Sequence, residues 1–195
     1  MRIGILSLSV LLLSGCMGPV KVKPIEHYTL EPVYIEKMHA RSGSVLIIPA
    51  PQVDKGLQSN DMLYSMKEFQ INAYTYSKWT SAPSSLLHKI LLDSFNRSGI
   101  YKAVISSSYS KAANWKLEIR ILDWHQSFLC HPSKIVVSYI ANIYDIRRQK
   151  IVASRVFETS IRTRSEDAYG GVVAMNYAMD YLIPATIKFV RNNTR

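Results

Sequence analysis

Asp123, His125 and Ser127 stand two residues apart at the end of an alternating stretch, and acid, base and hydroxyl are the residue types of a hydrolytic relay. Residues two apart on a strand share a face, so this set comes together only if the strand persists that far. The chain contains no Gly-x-Ser-x-Gly elbow to present a serine, which argues against a hydrolase. His125, Cys130 and His131 raise a second chemistry, metal ligation, but three ligand types strung across one loop lack the paired spacing of a zinc site. Gly170-Gly171 precedes a helical pattern without the other glycines of a phosphate loop and reads as a flexible helix start. The expectation is a protein with no catalytic residues, no cofactor and no metal, and with a hydrolase built on Asp123, His125 and Ser127 as the lesser alternative.

Cys16 is the residue whose chemistry the sequence specifies best. Ahead of it runs a single basic residue, Arg2, and then about eleven apolar residues from Ile3 to Leu13. That run is too short for a bilayer, which takes roughly 20 apolar residues. A basic start, a short apolar stretch and small residues make a secretory leader. Leu13-Ser14-Gly15-Cys16 has the grammar of a bacterial lipobox: small residues fit the peptidase, and the thiol is the nucleophile that takes a diacylglycerol. Cleavage before Cys16 and acylation of the new amino terminus would leave an N-palmitoyl, S-diacylglycerol cysteine. One acyl chain gives only reversible attachment, whereas two or three hold. Met17 rather than Asp follows the cysteine, which favours the outer membrane of a Gram-negative host, facing the periplasm. Residues 1–15 are thus expected to be the leader, 16–27 the lipidated terminus and tether, and 28–195 the periplasmic domain.

Composition bounds the rest. Removing the leader leaves 180 residues, enough for one domain with a core of ordinary size. Charged residues make up 19% and hydrophobic ones 48%, a globular balance, and no second apolar stretch is long enough to cross a bilayer. With Cys16 given to lipid, Cys130 has no partner in the chain, so stability must come from packing; Cys130 is expected to be a small buried hydrophobe. The formal charge is +10, or +9 without Arg2. For an exported protein this points to anionic lipid, lipopolysaccharide or acidic protein rather than nucleic acid. The basic clusters Arg147-Arg148-Gln149-Lys150 and Arg162-Thr163-Arg164 read as solvated strand ends.

The positioning elements follow from periodicity. "YTLEP" and "SVLIIPAPQV" read as short strands, and the aromatic stretch from Asp61 to Trp79 as a hairpin. Thr80 or Ser81 as cap, Pro83 in the first turn and Gly99 at the end frame a helix with Leu86, Leu87, Ile90, Leu91 and Phe95 on one face. A short strand follows in "YKAVISS". Trp115, Leu117, Ile119 and Ile121 then alternate with Lys116, Glu118 and Arg120, which makes one side of that strand wet. Two further strands joined by "RRQK" lead to a second long helix that Pro184 should kink or split. Trp115 is expected in the core. Trp79, Tyr74 and Tyr76 are expected either to pack there or to flank a groove for a partner strand or an acyl chain. The fold class is α+β: a single mainly antiparallel sheet with two long amphipathic helices packed on one face.

This order of features resembles the ABC-type transport auxiliary lipoproteins, the PqiC-like group associated with MCE-domain lipid transport. The likeness rests on the lipobox at Cys16, "HYTL" at 27–30, "SVLIIPAPQV" at 44–53, the aromatic strand, Trp79, Pro83 and helix within 63–105, and the alternating "WKLEIRILDWHQ". It implies a non-enzymatic envelope component whose partners are a substrate-binding MCE protein and an inner-membrane ABC transporter or permease. It further implies docking of the MCE channel at the outer membrane, in a homo-oligomeric ring. An adaptor lipoprotein of a secretion or cell-wall complex is the alternative that the same tether and fold would serve.

Overall fold

The computed structural model describes residues 23–38, 43–106 and 113–194. The leader, Cys16 and tether residues 16–22 therefore lie outside the described residues. In chain order the elements are β1 (Glu26–Tyr28), β2 (Val45–Ile47), β3 (Asp61–Ser65), β4 (Asn72–Trp79), α1 (Pro83–Ser98), β5 (Ala103–Ile105), β6 (Trp115–Ser127), β7 (Lys134–Asp145), β8 (Lys150–Arg162) and α2 (Ala168–Asn193).

The long alternating stretches become the antiparallel heart of an open eight-stranded sheet, β6–β7–β8. The other side of β6 is shared: its start pairs with β2, which pairs with β5, and its end pairs with β3, which leads to β4 and β1. The α+β architecture is thus as expected, and the longest ladders are antiparallel. The short strands add something periodicity did not show, because β1–β4, β2–β5, β2–β6 and β3–β6 all pair in parallel. Segments of three to five residues carry too little pattern to declare a direction, which is set by where α1 and the loops return the chain.

One register shift decides which side chains reach the core. Ile121 opposes Tyr139 and Asp123 opposes Ser138, so Leu122 is an extra residue in β6. Such a bulge reverses the parity of everything after it. Leu117, Ile119 and Ile121 before it, and Trp124 and Gln126 after it, are buried. They lie on the same side as Ile135, Val137, Tyr139, Ala141 and Ile143 of β7. α2 packs on that side through Met175, Met179, Leu182, Ile183 and Ile187, and α1 joins the same core through Leu87, Leu91 and Phe95. Each such side chain taken fully out of water contributes about 1.5–3 kcal/mol. Trp115, expected in the core, is partly buried against its margin.

α1 starts at Pro83, whose missing N–H is no loss in a first turn, and ends at Gly99 in the left-handed region, φ 67°. Its N-cap is Ala82, without a side-chain cap bond, rather than Thr80 or Ser81. α2 runs unbroken through Pro184. Next to the proline the Thr186 hydroxyl donates to the Leu182 carbonyl at 2.9 Å and lies 2.7 Å from the Tyr139 hydroxyl, tying this turn to β7. Among the described residues no helix is long and apolar enough to cross a membrane.

Candidate functional site

β6 does persist to Ser127, so Asp123, His125 and Ser127 share the open face of the sheet. Sharing a face does not make them a relay. Neighbours on one face of a strand are roughly 6.5–7 Å apart along it, and no hydrogen bond links the three. Asp123 instead accepts the Ser138 hydroxyl at 2.5 Å from across the ladder. Burial holds the His125 imidazole below its usual range, partly offset by Asp123. Ser127 is 3% exposed.

His125, Cys130 and His131 do not converge either. Cys130 and His131 sit in the loop between β6 and β7, and Cys130 is exposed, which corrects the expectation of a buried thiol. The loop carries it outward, and among the described residues its Sγ makes one weak bond, of 3.6 Å, to the Pro132 carbonyl. His131 Nδ1 lies 3.8 Å from Glu166. Among the described residues no three His, Cys, Asp or Glu side chains are grouped to hold a metal ion.

Among the described residues the fold builds two large grooves. The first, about 640 Å³, lies between α1 and the segment after β1. Leu30, Leu86 and Ile90 are buried at its base, with Lys89 and the Asp93–Arg97 pair at its rim. His88 Nε2, 2.8 Å from the Ile48 carbonyl, fixes α1 to the end of β2 beside it. The second, about 650 Å³, is walled by tyrosines where the described chain begins. Tyr64 and Tyr74 meet tilted at 46° with ring centres 4.7 Å apart, Tyr28 and Tyr169 are 6.3 Å apart, and the Lys23 ammonium lies 5.7 Å from the centre of the Tyr76 ring. The Tyr28 hydroxyl donates to Glu26 at 2.5 Å, and this bond to a carboxylate is the main cause of a phenol pushed up to about 12. Tyr74 and Tyr76 thus do line a groove, while Trp79 is core, edge-on to Trp124. Tyr28, Tyr64 and Tyr169 were not anticipated, because their partners lie on other elements far away in sequence.

Beneath the second groove runs a buried polar network. Tyr74 donates to Gln126 Oε1 at 3.1 Å, Gln126 Nε2 donates to Ser133 Oγ at 2.9 Å, and Ser133 Oγ is 2.7 Å from Thr163 Oγ1. Glu166 closes it by accepting the Ser133 N–H at 2.8 Å. These bonds join β4, β6, the β6–β7 loop and the β8–α2 connection.

At the head of α2 Asp167 is the N-cap, accepting the Gly170 N–H at 2.7 Å. That bond first, and the Ser165 hydroxyl second, hold its carboxyl below the usual range. Asp167→Ala is expected to lower stability by about 1 kcal/mol at neutral pH. A depressed carboxylate stabilises above its ordinary pKa, near 3.9, and that contribution is lost as pH falls through the lower folded value. Denaturation curves of the two proteins should therefore converge in acid. A gap that stays constant from neutral pH into strong acid would show that the charge is not the cause.

A mixed sheet with two helices on one face, lined by two large grooves, defines a small α+β domain. The sequence model of the ABC-type transport auxiliary lipoprotein component matches residues 28–184, and the chain belongs to that family. Its family is therefore one of cell-envelope lipoproteins that accompany ABC-type transport. Among solved structures, a protein of Xanthomonas campestris is similar with a TM-score of 0.73 at 16% identity, covering 87% of this chain and 94% of its own. An uncharacterized protein gives 0.70 at 14%, covering 86% and 99%. A hypothetical protein of Chlamydia trachomatis gives 0.54 at 10%, covering 78% and 98%. These likenesses concern the fold alone. No curated protein matches the sequence.

Proposed function

We propose that this protein is a non-catalytic docking lipoprotein of an MCE-type intermembrane lipid transport system, held by a lipidated Cys16 in the outer membrane and facing the periplasm. The family match over residues 28–184 carries the proposal. The lipobox supplies the anchor, seven residues before the first described residue, Lys23. An MCE-domain channel protein, itself served by an inner-membrane ABC transporter or permease, is the partner. The basic surface suits anionic lipid nearby, and the apolar base of the α1 groove suits an acyl chain.

Three measurements test the proposal. Fatty-acid labelling is expected in the wild type and lost in Cys16→Ser; equal label in both would remove the anchor. Purification of the anchored protein from membranes is expected to bring an MCE protein with it, and deletion is expected to weaken the outer-membrane lipid barrier. A secretin or peptidoglycan in place of the MCE protein would assign the chain to a secretion or cell-wall complex instead.

A further inference from the structure

β8 is a free edge of the sheet. It pairs with β7 along its length and, among the described residues, with no strand on its outer side. A register shift makes Val152 an extra residue near its start, so the regular edge runs over the ten residues from Ala153 to Arg162. In an antiparallel ladder every second residue turns both its N–H and its C=O outward. Ten residues therefore offer about five such pairs over roughly 33 Å. Proteins shield edges by keeping them short, or with proline, charged side chains or a bulge; β8 has the last two, which repel a like-charged edge and leave it open to one of opposite charge. β8 is 13 residues long and has no proline, and Val156, in the middle of the regular edge, is 51% exposed.

Charge indicates what fits this edge. Lys134 of β7 stands directly opposite Arg162 of β8, a like-charge pair that opposes the ladder it sits in. Neither has an ion-pair partner among the described residues, and neither has Arg147 at the other end, where Lys150 stands opposite Asp145 and Asp145 holds Arg148 at 3.6 Å. Glu158 is the one acid on the strand, against Lys150, Arg155 and Arg162. Arg155 lies over the Phe157 ring, 4.9 Å from its centre. A second copy is a poor occupant. An antiparallel match centred on Val156 would set Lys150 of each copy against Arg162 of the other, and a parallel match would set each cation beside its twin. A lipid headgroup would neutralise the cations and leave the outward N–H and C=O groups unmatched. An extended peptide with acidic side chains answers both needs.

We infer that the β8 edge, from Ala153 to Arg162, receives an extended acidic segment of a partner protein, added to the sheet as one more strand. An acidic strand docks here whichever transport partner supplies it, so failure of the MCE assignment leaves this site standing. The test is fluorescence anisotropy with the mature lipidated chain in detergent micelles and a labelled decapeptide of alternating glutamate and valine, blocked at both ends. Binding is expected, at least tenfold tighter than for the lysine–valine peptide and for the same glutamate–valine peptide with N-methylated backbone nitrogens. Arg162→Glu is expected to weaken the acidic peptide at least tenfold and to strengthen the lysine peptide, a gain that a misfolded chain would not show. Equal binding of the N-methylated peptide would reduce the effect to charge alone and overturn the added strand. Equal binding of the lysine peptide, or dimerisation that Arg162→Glu alters in place of peptide binding, would overturn the acidic occupant.

Discussion

Gly171→Ala is expected to lower the stability of the mature chain by about 2–4 kcal/mol, through overpacking and the loss of a buried hydrogen bond. A Cβ at Gly171 would stand 2.3 Å from Gln126 Oε1, far inside contact distance. Gln126 is 2% exposed and its amide is held from both ends, by Tyr74 at the oxygen and Ser133 at the nitrogen, so it has nowhere to retreat. α2 would have to lift from the sheet, or Gln126 would have to abandon its partners. For a chain of this size the loss corresponds to a fall in Tm of roughly 5–15 °C, measurable by thermal denaturation. Gly170→Ala should behave alike, since its Cβ would meet the Ser165 carbonyl at 2.1 Å, while Gly43→Ala meets nothing within 4 Å and should be near neutral. Gln126→Ala combined with Gly171→Ala should cost clearly less than the sum of the two, because the first removes the obstacle to the second. Strict additivity, or a Gly171→Ala protein within about 0.5 kcal/mol of wild type, would refute the close packing.

These glycines show where a sequence stops being legible. Gly170-Gly171 reads as flexibility at a helix start, and the structure gives close approach instead: the Ser165 carbonyl forbids a side chain at Gly170, and an atom 45 residues away in the chain forbids one at Gly171. α1 was legible because Pro83 and Gly99 act locally, one through a missing N–H and the other through a left-handed backbone. The three long strands were legible because each runs for 12 or 13 residues, long enough for period two to show on at least one side of any bulge. The parallel pairing of β2, β3 and β5 was not, for no periodicity survives in so few residues. The tyrosine groove was half legible. Tyr74 and Tyr76 lie together on β4, but Tyr28, Tyr64 and Tyr169 come from β1, β3 and α2. Cys130 went the other way: its residue type favours burial, and a loop with exposed neighbours overrules the type.

Trp124→Ala is expected to be the costliest truncation in the sheet, about 3–5 kcal/mol from lost burial and the cavity left behind. Trp124 is 2% exposed and meets Trp79 edge-on, ring centres 6.3 Å apart and planes at 76°. Such a pair adds about 0.5–1.5 kcal/mol beyond area. Trp124→Phe should cost well under half as much, because the indole N–H has no hydrogen-bond partner among the described atoms and only volume is lost. Counting by twos from Lys116 places Trp124 on the wet face; the bulge at Leu122 is what turns it inward. Two length changes then separate the side chain from the register. Deleting Leu122, which is 42% exposed, leaves Ile121 and Asp123 opposite Tyr139 and Ser138 as they are now, so Trp124 stays in the core. Inserting one more residue after Leu122 has two routes. Either the bulge grows, or Trp124 and Gln126 exchange places with Asp123 and His125. In the second case two carboxylate- or imidazole-bearing residues would be forced against Met175. Urea denaturation should therefore rank the deletion as milder than Trp124→Ala and the insertion as at least as severe. A deletion more damaging than Trp124→Ala would mean that Leu122 itself, not the parity it sets, holds this part of the sheet together.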